Sequence, residues 1–375
     1  MLKVGILGGG QLGRMLLQSA ANYPVETFVL ENDENCPSAH LCHHFTKGDI
    51  RKFDDVYRFG KGLDAIAIEI ESVNEQALEK LEEEGVAVYP RPAALRIIKN
   101  KIAQKEYYRD RNIPSSDFVI TRNLDEVKQY ASFLPAVHKL AEGGYDGRGV
   151  QVIRSEKELS KAFSAPSVLE KMVDIYKEIA QIVAIDQQGR IALYPPVEMV
   201  FDQELNLLDF QLSPADITDD IKARVEAISL DAVKGLQSAG IFAVELFLDR
   251  KQNVYVNEMA PRVHNSGHHT IEGNYSSQFD MLWRIILGYP LGNTAEILPA
   301  ALVNLLGEPG HDGDADYQGL PEALQRGNVF IHLYGKRQTK PGRKMGHATI
   351  LGENKETLIN DAHALKQIIK IQAKK

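Results

Sequence analysis

Gly143-Gly144-Tyr145-Asp146-Gly147-Arg148-Gly149 places four glycines in seven residues. Such a loop can bring its backbone N–H groups close to an anion, because no Cβ stands in the way. Lys139 precedes it, at the end of the apolar run Leu134-Pro135-Ala136-Val137. A strand, a lysine and a glycine loop, in that order, make a phosphate lid. Tyr145, Asp146 and Arg148 add polar side chains that a bare ATP lid does not need. Further on come Glu245 and Asn257-Glu258, a pair of acidic strands suited to holding Mg²⁺ against ATP phosphates. Together they point to a chain that spends ATP to activate a small acid.

Working outward from the loop, Ser167-Val168-Leu169 is an apolar strand that ends in Glu170 and Lys171. This is the pattern of a hinge that binds an adenine edge through backbone groups, with Glu178 following it to accept ribose hydroxyls. Taken singly, both glutamates read as surface carboxylates; their order after a lysine and a lid makes the functional reading the better one. Glu245 sits in Phe242-Ala243-Val244-Glu245-Leu246-Phe247-Leu248 and Glu258 in Val254-Tyr255-Val256-Asn257-Glu258-Met259. A carboxylate in such surroundings needs a partner, since burying it unpaired is costly. Two salt-bridged core glutamates are the plain alternative, and Mg²⁺ bridging ATP oxygens explains the pair better. The polar stretch Ala260-Pro261-Arg262-Val263-His264-Asn265-Ser266-Gly267-His268 reads as a substrate-binding loop. His264 and His268 are four apart, but a third zinc ligand and helical context are missing. Cys42-His43-His44 reads as a loop without function.

Near the N-terminus, Gly8-Gly9-Gly10-Gln11-Leu12-Gly13 fits the G-x-G-x-x-G pattern between a strand and a helix, and Glu31 ends the next strand. The pattern alone leaves three readings open: a dinucleotide site, helix amides binding some other phosphate, or a tight turn without a ligand. Near the C-terminus, Tyr334-Gly335-Lys336 and Pro341-Gly342-Arg343-Lys344-Met345-Gly346-His347 bracket a short turn, where Lys336 and Arg343 can clamp a phosphate.

The chain of 375 residues is long enough for two or three domains. Hydrophobic content of 44% and charged content of 25% are those of an ordinary globular protein. A net charge of −8 argues against nucleic acid as the main partner. Two cysteines, Cys36 and Cys42, are too few for a disulfide framework. No leader is read before the first strand, and no apolar stretch approaches the ~18 residues of a membrane span. The expected location is the cytoplasm. Strands and helices alternate to Tyr89, which predicts a parallel sheet with helices on both faces. Helices are predicted over Asn74–Glu84, with Asn74 as N-cap and Gly85 as the stop, and as one run over Ala93–Arg111. Further helices are read over Asp219–Ser238 and Ser277–Leu287, and a last one from Lys355. Strands are read over Glu178–Ile185, Ile191–Val200, Ile241–Leu248 and Val254–Met259, with three more near the C-terminus. The expected domains are 1–92, 93–295 with a lid subdomain over about 115–173, and 296–375.

These residues resemble the ATP-grasp superfamily and, within it, the N5-carboxyaminoimidazole ribonucleotide synthetases. The marks are Gly8 to Met15, Gly144 to Gly149, Asn257 to Arg262 with His264 to His268, and Tyr334 to Lys336 with Pro341 to Arg343. The resemblance implies an α/β chain: an ATP-grasp fold behind an N-terminal doubly wound parallel sheet, the pre-ATP-grasp domain, with a small C-terminal mixed α/β domain. It implies ATP as co-substrate, Mg²⁺, bicarbonate, 5-aminoimidazole ribonucleotide and a homodimer, with no nucleic acid or membrane partner. It places Lys101 and Lys139 on ATP phosphates, with Gly144, Tyr145, Asp146, Gly147, Arg148, Gly149 and Val150 as the lid. Glu170, Lys171, Met172 and Val173 become the adenine hinge, and Glu178 the ribose acceptor. Asn257 joins the ATP site, and Glu245 and Glu258 hold the metal. Gly10, Gln11, Leu12, Tyr145, Arg148, His268, Lys336 and Arg343 fall to the ribonucleotide. Asp146, Arg148, Lys139, Arg262 and His264 are expected to serve the chemistry, Asp146 by orienting the amine or accepting its proton. Rival readings are a formate-using ATP-grasp transformylase, an NAD-dependent oxidoreductase and a non-catalytic ATP-binding regulator.

Overall fold

A computed structural model describes residues 1–144, 149–202 and 207–374. Tyr145, Asp146, Gly147 and Arg148 of the lid lie outside the described residues.

The N-terminal unit is a parallel sheet of five strands in the order β3-β2-β1-β4-β5. They are β1 (Leu2–Leu7), β2 (Val25–Glu31), β3 (His44–Lys47), β4 (Ala65–Ile68) and β5 (Ala87–Tyr89). Helix α1 (Gln11–Ala20) packs on one face, while α2 (Phe53–Gly60) and α3 (Glu75–Glu83) pack on the other. Burial on both sides explains the continuous apolar runs Val4 to Leu7 and Ala65 to Ile68. Asn74 caps α3 by accepting the Ala77 N–H, and Gly85 follows at φ +96°, as expected. The segment from His44 to Gly60, which contains β3 and α2, is more ordered than its polar sequence suggests. His43 is not idle: its Nδ1 accepts the Thr27 N–H at 3.1 Å.

The predicted single helix over 93–111 is two: α4 (Pro92–Lys99) and α5 (Lys101–Asp110). Asn100 breaks it. Its side chain turns back to accept the N–H groups of Ile102 and Ala103, capping α5. The lid subdomain is a four-stranded sheet in the order β6-β9-β7-β8. Its strands are β6 (Phe118–Thr121), β7 (Ala136–Leu140), β8 (Val150–Ile153) and β9 (Ser167–Lys171), with α6 (Leu124–Gln129) alongside.

The large sheet runs β15-β14-β10-β12-β13-β16-β20-β18, with β11 also paired to β10. Its central part is β10 (Ile175–Ile185), β11 (Ile191–Leu193), β12 (Val197–Asp202), β13 (Leu207–Ser213), β14 (Gly240–Asp249) and β15 (Val254–Ala260). Tyr194-Pro195-Pro196 splits the strand expected over 191–200. Helix α7 (Asp219–Lys234) covers one face; α8 (Thr270–Gly273) and α9 (Gln278–Ile286) lie on the other. The C-terminal unit adds β16 (Ala300–Leu306), β17 (Gly313–Gln318), α10 (Leu320–Leu324), β18 (Val329–Leu333), β19 (Gln338–Thr339), β20 (Lys344–Leu351), α11 (Lys355–Ile368) and β21 (Lys370–Ala373). Three of its strands continue the large sheet through β13–β16 pairing, so this unit shares a sheet with the centre. Trp283, buried on α9, donates from Nε1 to the Leu16 carbonyl of α1 at 2.8 Å and locks the N-terminal unit to the centre.

Candidate active site

Strand alternation sets the site. On β10 and β14, Ile182, Ala184, Ile241 and Ala243 face the α1/α9 core. Four and two residues along the same strands, that face carries Glu178 and Glu245. Glu258 on β15 stands opposite Glu245, and a bulge follows between Glu245 and Leu246. The bulge turns consecutive residues, Asn257 and Glu258, to the same side. Three carboxylates thus share one face. Glu245 and Glu258 remain 21% and 41% exposed, so the face opens on a cleft.

The lysines meet these carboxylates from two other elements. Because Asn100 breaks the helix, Lys101 sits in the first turn of α5 and pairs with Glu258. Lys139 on β7 spans from the lid sheet to the large sheet, donating to Asn257 Oδ1 at 2.9 Å and lying 3.0 Å from Glu170. Glu170 is diagonal to Lys139 across the β7–β9 pair. A residue that no sequence motif marks completes the group. Lys105, one turn after Lys101 on α5, is 2.9 Å from Glu170, and its side chain is 2% exposed. Ser116 donates to the same carboxylate at 2.7 Å.

The electrostatics follow from this placement. Burial pushes the Glu245 carboxyl up to about 8, and the nearby charges of Glu258 and Glu178 push the same way. Burial also raises Glu178, to about 7, with Lys139 opposing. Burial raises Glu258 too, but Lys101 and Lys139 outweigh it and hold the group below the usual range. Burial would lower Lys101; Glu258, Glu170 and Glu245 outweigh it and raise it. The face therefore holds more carboxylate than its direct lysine partner neutralises. Two all-oxygen side chains in a cleft, with carboxylate repulsion to relieve, fit a divalent cation of the Mg²⁺ type. Among the described residues no cluster of three or more His, Cys, Asp or Glu forms a closed metal cage.

The segment expected as the adenine hinge, Glu170 to Val173, begins inside the lid sheet. Glu170 lies in a central strand paired on both sides, so its backbone serves the ladder and its side chain serves the lysines. Lys171 and Met172 donate their N–H groups to the Asp117 and Pro135 carbonyls. At the lid, Gly143 and Gly149 have φ of +78° and +76°, and a Cβ on Gly149 would lie 3.0 Å from Gly144 Cα. Gly144 and Gly149 pinch the loop ends together, and Val150 then enters β8.

After β15, Arg262 reaches the N-terminal unit and lies 2.9 Å from Glu71, a second residue not singled out in sequence. His264 lies 3.4 Å from Glu245, and its Nδ1 accepts the Ser266 N–H at 3.3 Å. Burial, then Arg262 and Lys344, push its pKa down to about 3. Its Nε2 faces the carboxylates, and its Nδ1 also lies 2.9 Å from Ser266 Oγ. His268, expected at the ribonucleotide, is fully enclosed, with Phe279, Tyr334 and His347 among its ring neighbours.

At the glycine turn, three backbone amides are held by the chain's own carboxylates. Gly9 donates to Glu31 at 3.0 Å; Gly10 and Gly13 donate to the two oxygens of Glu69 at 2.6 Å each. A dinucleotide pyrophosphate would need these amides, and the chain's own carboxylates hold them. The first-turn amides of Gln11 and Leu12 have no intrahelical acceptor and stay available. Lys336 arrives at this point from the C-terminal unit, donating to Gln11 Oε1 at 2.7 Å and to the Lys344 carbonyl at 2.6 Å. Arg343 lies in the same hairpin and donates to the Gln338 carbonyl at 2.7 Å. No helix of the described residues is long and apolar enough to cross a membrane.

Comparison with known proteins fits this arrangement. The ribonucleotide synthetase preATP-grasp domain matches residues 1–99, the ATP-grasp domain 106–279, and the phosphoribosylaminoimidazole carboxylase C-terminal domain 300–361. The chloroplastic phosphoribosylaminoimidazole carboxylase of Vigna aconitifolia is 36% identical over 94% of the chain, which spans 64% of that protein's length. The N5-carboxyaminoimidazole ribonucleotide synthase of Aquifex aeolicus is 32% identical over 99% of the chain and 98% of its own length. The Thermotoga maritima N5-carboxyaminoimidazole ribonucleotide synthetase structure superposes with a TM-score of 0.92, at 36% identity and full coverage of both chains. The Aspergillus clavatus synthase, solved with ADP and 5-aminoimidazole ribonucleotide, gives 0.88 at 30% identity, covering 98% of each chain. With the site assembled from three matched domains and relatives aligned nearly end to end, the chain belongs to the N5-carboxyaminoimidazole ribonucleotide synthase family of ATP-grasp enzymes.

Proposed function

We propose that the chain carboxylates 5-aminoimidazole ribonucleotide on its exocyclic amine, using ATP and bicarbonate and releasing ADP and phosphate. The observation that carries this is the meeting of two half-sites. Lys101, Lys139, Glu178, Glu245 and Glu258 form an ATP cleft. Lys336 and the Gln11–Leu12 amides form an anion-binding corner beside it.

Bicarbonate is a poor electrophile, and phosphorylation to carboxyphosphate activates it. Such a transfer needs positioning and charge neutralisation more than a protein nucleophile. Lys139 and Lys101 neutralise phosphate oxygens, Val173 holds the adenine edge and Glu178 accepts from the ribose. Glu245 and Glu258 hold Mg²⁺, which when bound neutralises charge on the phosphates. The neutral His264 presents its Nε2–H beside those carboxylates, placed to steady an oxyanion, with Arg262 close by. The Gln11 and Leu12 amides, Lys336 and Arg343 take the ribonucleotide phosphate. Tyr145, Asp146 and Arg148 serve the amine, Asp146 by orienting it or accepting its proton. Asp146→Asn retaining full carboxylation with normal affinity removes Asp146 from the mechanism. Carboxyphosphate hydrolyses quickly, so the closed lid also excludes water.

The test is ADP release with Mg·ATP, with and without bicarbonate and aminoimidazole ribonucleotide. Strong stimulation by the ribonucleotide, with bicarbonate label in an acid-labile product, is expected. Stimulation by formate and glycinamide ribonucleotide instead overturns the reading. We also propose a cytoplasmic homodimer, as the resemblance implies; light scattering at monomer mass refutes the dimer, and cell fractionation checks the compartment.

A further inference from the structure

His264 caps a single 3-10 turn over Asn265–Gly267, too short by itself to fix the residue, yet its ring must keep one orientation to present Nε2 to the cleft. The support comes from a residue outside every recognised motif. Gln278 opens α9 and is completely buried. Its Oε1 accepts the His264 N–H at 2.8 Å, and its Nε2 donates to the His264 carbonyl at 2.7 Å. One amide side chain thus satisfies both backbone groups of the same residue, as a neighbouring strand would. The same Nε2 lies 3.2 Å from His268 Nδ1.

A second anchor acts a few residues further along the loop. Thr270 accepts the Gln278 N–H at 2.9 Å and donates to the Gly267 carbonyl at 2.5 Å. Gly267 is required by this packing, since a Cβ there would stand 2.5 Å from Gln278 Oε1. The loop from His264 to Gly267 is therefore clamped at His264 N, His264 O and Gly267 O by two side chains. None of the three contacts reaches the cleft.

We infer that Gln278 is a positioning residue for the carboxylation reaction, fixing the backbone of His264 so that its ring N–H faces the Glu245 side of the cleft. This rests on the function proposed above. A buried amide that pairs both backbone groups of a single residue leaves no room for a shorter or apolar side chain. Loss of the amide leaves the His264 N–H unpaired and its C=O with the Gly267 N–H alone, and the loop moves to find new partners.

The test is a double-variant cycle on the full chain: Gln278→Met, His264→Ala, and the two together. Methionine keeps roughly the volume and removes both hydrogen-bonding atoms. Ribonucleotide-stimulated ADP release gives kcat; Mg·ATP affinity and cooperative melting serve as controls. In a folded Gln278→Met protein, kcat falls about 10- to 100-fold, as a displacement near 1 Å commonly produces. The KM for ATP stays within about twofold, and adding Gln278→Met to His264→Ala costs less than about twofold more. Wild-type kcat in Gln278→Met, or the full drop repeated in the His264→Ala background, overturns the inference. Should Gln278→Met fail to melt cooperatively, Thr270→Val takes its place in the same cycle, with the same expected and refuting results. Failure of the proposed function shows separately, as a wild-type protein without ribonucleotide-stimulated turnover. The His264 ring ¹⁵N shifts then decide. A single Nε2–H tautomer that becomes mixed in Gln278→Met supports the clamp, and an unchanged spectrum refutes it.

Discussion

Replacing Glu170 by glutamine tests the charge arrangement behind the ATP cleft. Glu170 is 4% exposed and lies 2.9 Å from Lys105 and 3.0 Å from Lys139. Burial alone raises its pKa, but Lys139, Lys105 and the Ser116 hydroxyl together outweigh that and bring it down to about 2. Against an ordinary 4.5, a fall to about 2 corresponds to about 3 kcal/mol of preference for the ionised form in the folded chain. The folded pKa is depressed, so this stabilisation is complete above pH 4.5 and is lost as pH falls towards about 2. Glu170→Gln should therefore lower the unfolding free energy by about 3 to 5 kcal/mol at pH 7, because two buried lysines lose their counter-ion. Urea denaturation followed by circular dichroism, on wild type and variant at stepped pH, measures the gap. It should narrow to less than half by about pH 3. Mg·ATP should stabilise the variant more than wild type, since its phosphates bring negative charge back to Lys139. A variant as stable as wild type at pH 7 would refute the buried pairing.

Three further outcomes follow from the geometry. Glu245→Gln and Glu258→Gln should each lower ADP release by at least about 100-fold while the fold stays intact by circular dichroism; a drop under about threefold places the cation elsewhere. Lys336→Ala should raise the KM for aminoimidazole ribonucleotide about 10- to 100-fold, the worth of a charged hydrogen bond, with kcat at saturation little changed. An effect confined to kcat would remove Lys336 from ground-state phosphate binding. Burial raises Glu178 to about 7, so its ionised, ribose-accepting form is lost as pH falls through 7. The KM for ATP should rise from pH 8 to pH 6 in wild type and stay flatter in Glu178→Gln; parallel profiles would exclude Glu178 as the source.

The legible parts of the fold were those with local causes. Asn74, Ser277 and Asn354 cap helices by accepting the N–H of Ala77, Asp280 and Thr357, and each helix starts where the pattern predicts. Glu245 and Glu258 announced themselves as charges inside apolar strands. The same signal was present in Glu69, which follows Ala65-Ile66-Ala67-Ile68, and it pointed to the carboxylate that fills the glycine turn. The break at Asn100 was hidden because Ala93 to Arg111 contains neither glycine nor proline. Once Asn100 is seen as an N-cap, Lys101 and Lys105 fall one turn apart on one face, and Lys105 becomes a candidate. Gln278 left no such trace. A glutamine at the start of a helix is ordinary, and its value comes from His264, fourteen residues away in sequence.

Lys101, Lys139 and the glutamates also explain how so charged a cleft is stable without a nucleotide. Each cation suited to ATP phosphates is paired here with a carboxylate of the same site: Lys101 with Glu258, Lys139 with Glu170. The two pairs have different fates. Glu258 is 41% exposed, so under the proposed function Mg·ATP would exchange the pair, with the cation taking the carboxylate and phosphate taking the lysine. The exchange leaves no charge unmatched, so binding need not leave a buried ion unpaired. Glu170 is sealed beneath Ser116 and Lys105, so it keeps Lys139 oriented while the lysine's remaining N–H groups turn to phosphate. Glu245, pushed up to about 8 by burial, Glu258 and Glu178 against the opposing charges of Lys101 and Lys344, gains from a cation. A cleft built this way discriminates for metal and nucleotide together, because either one alone breaks a pair without supplying its replacement.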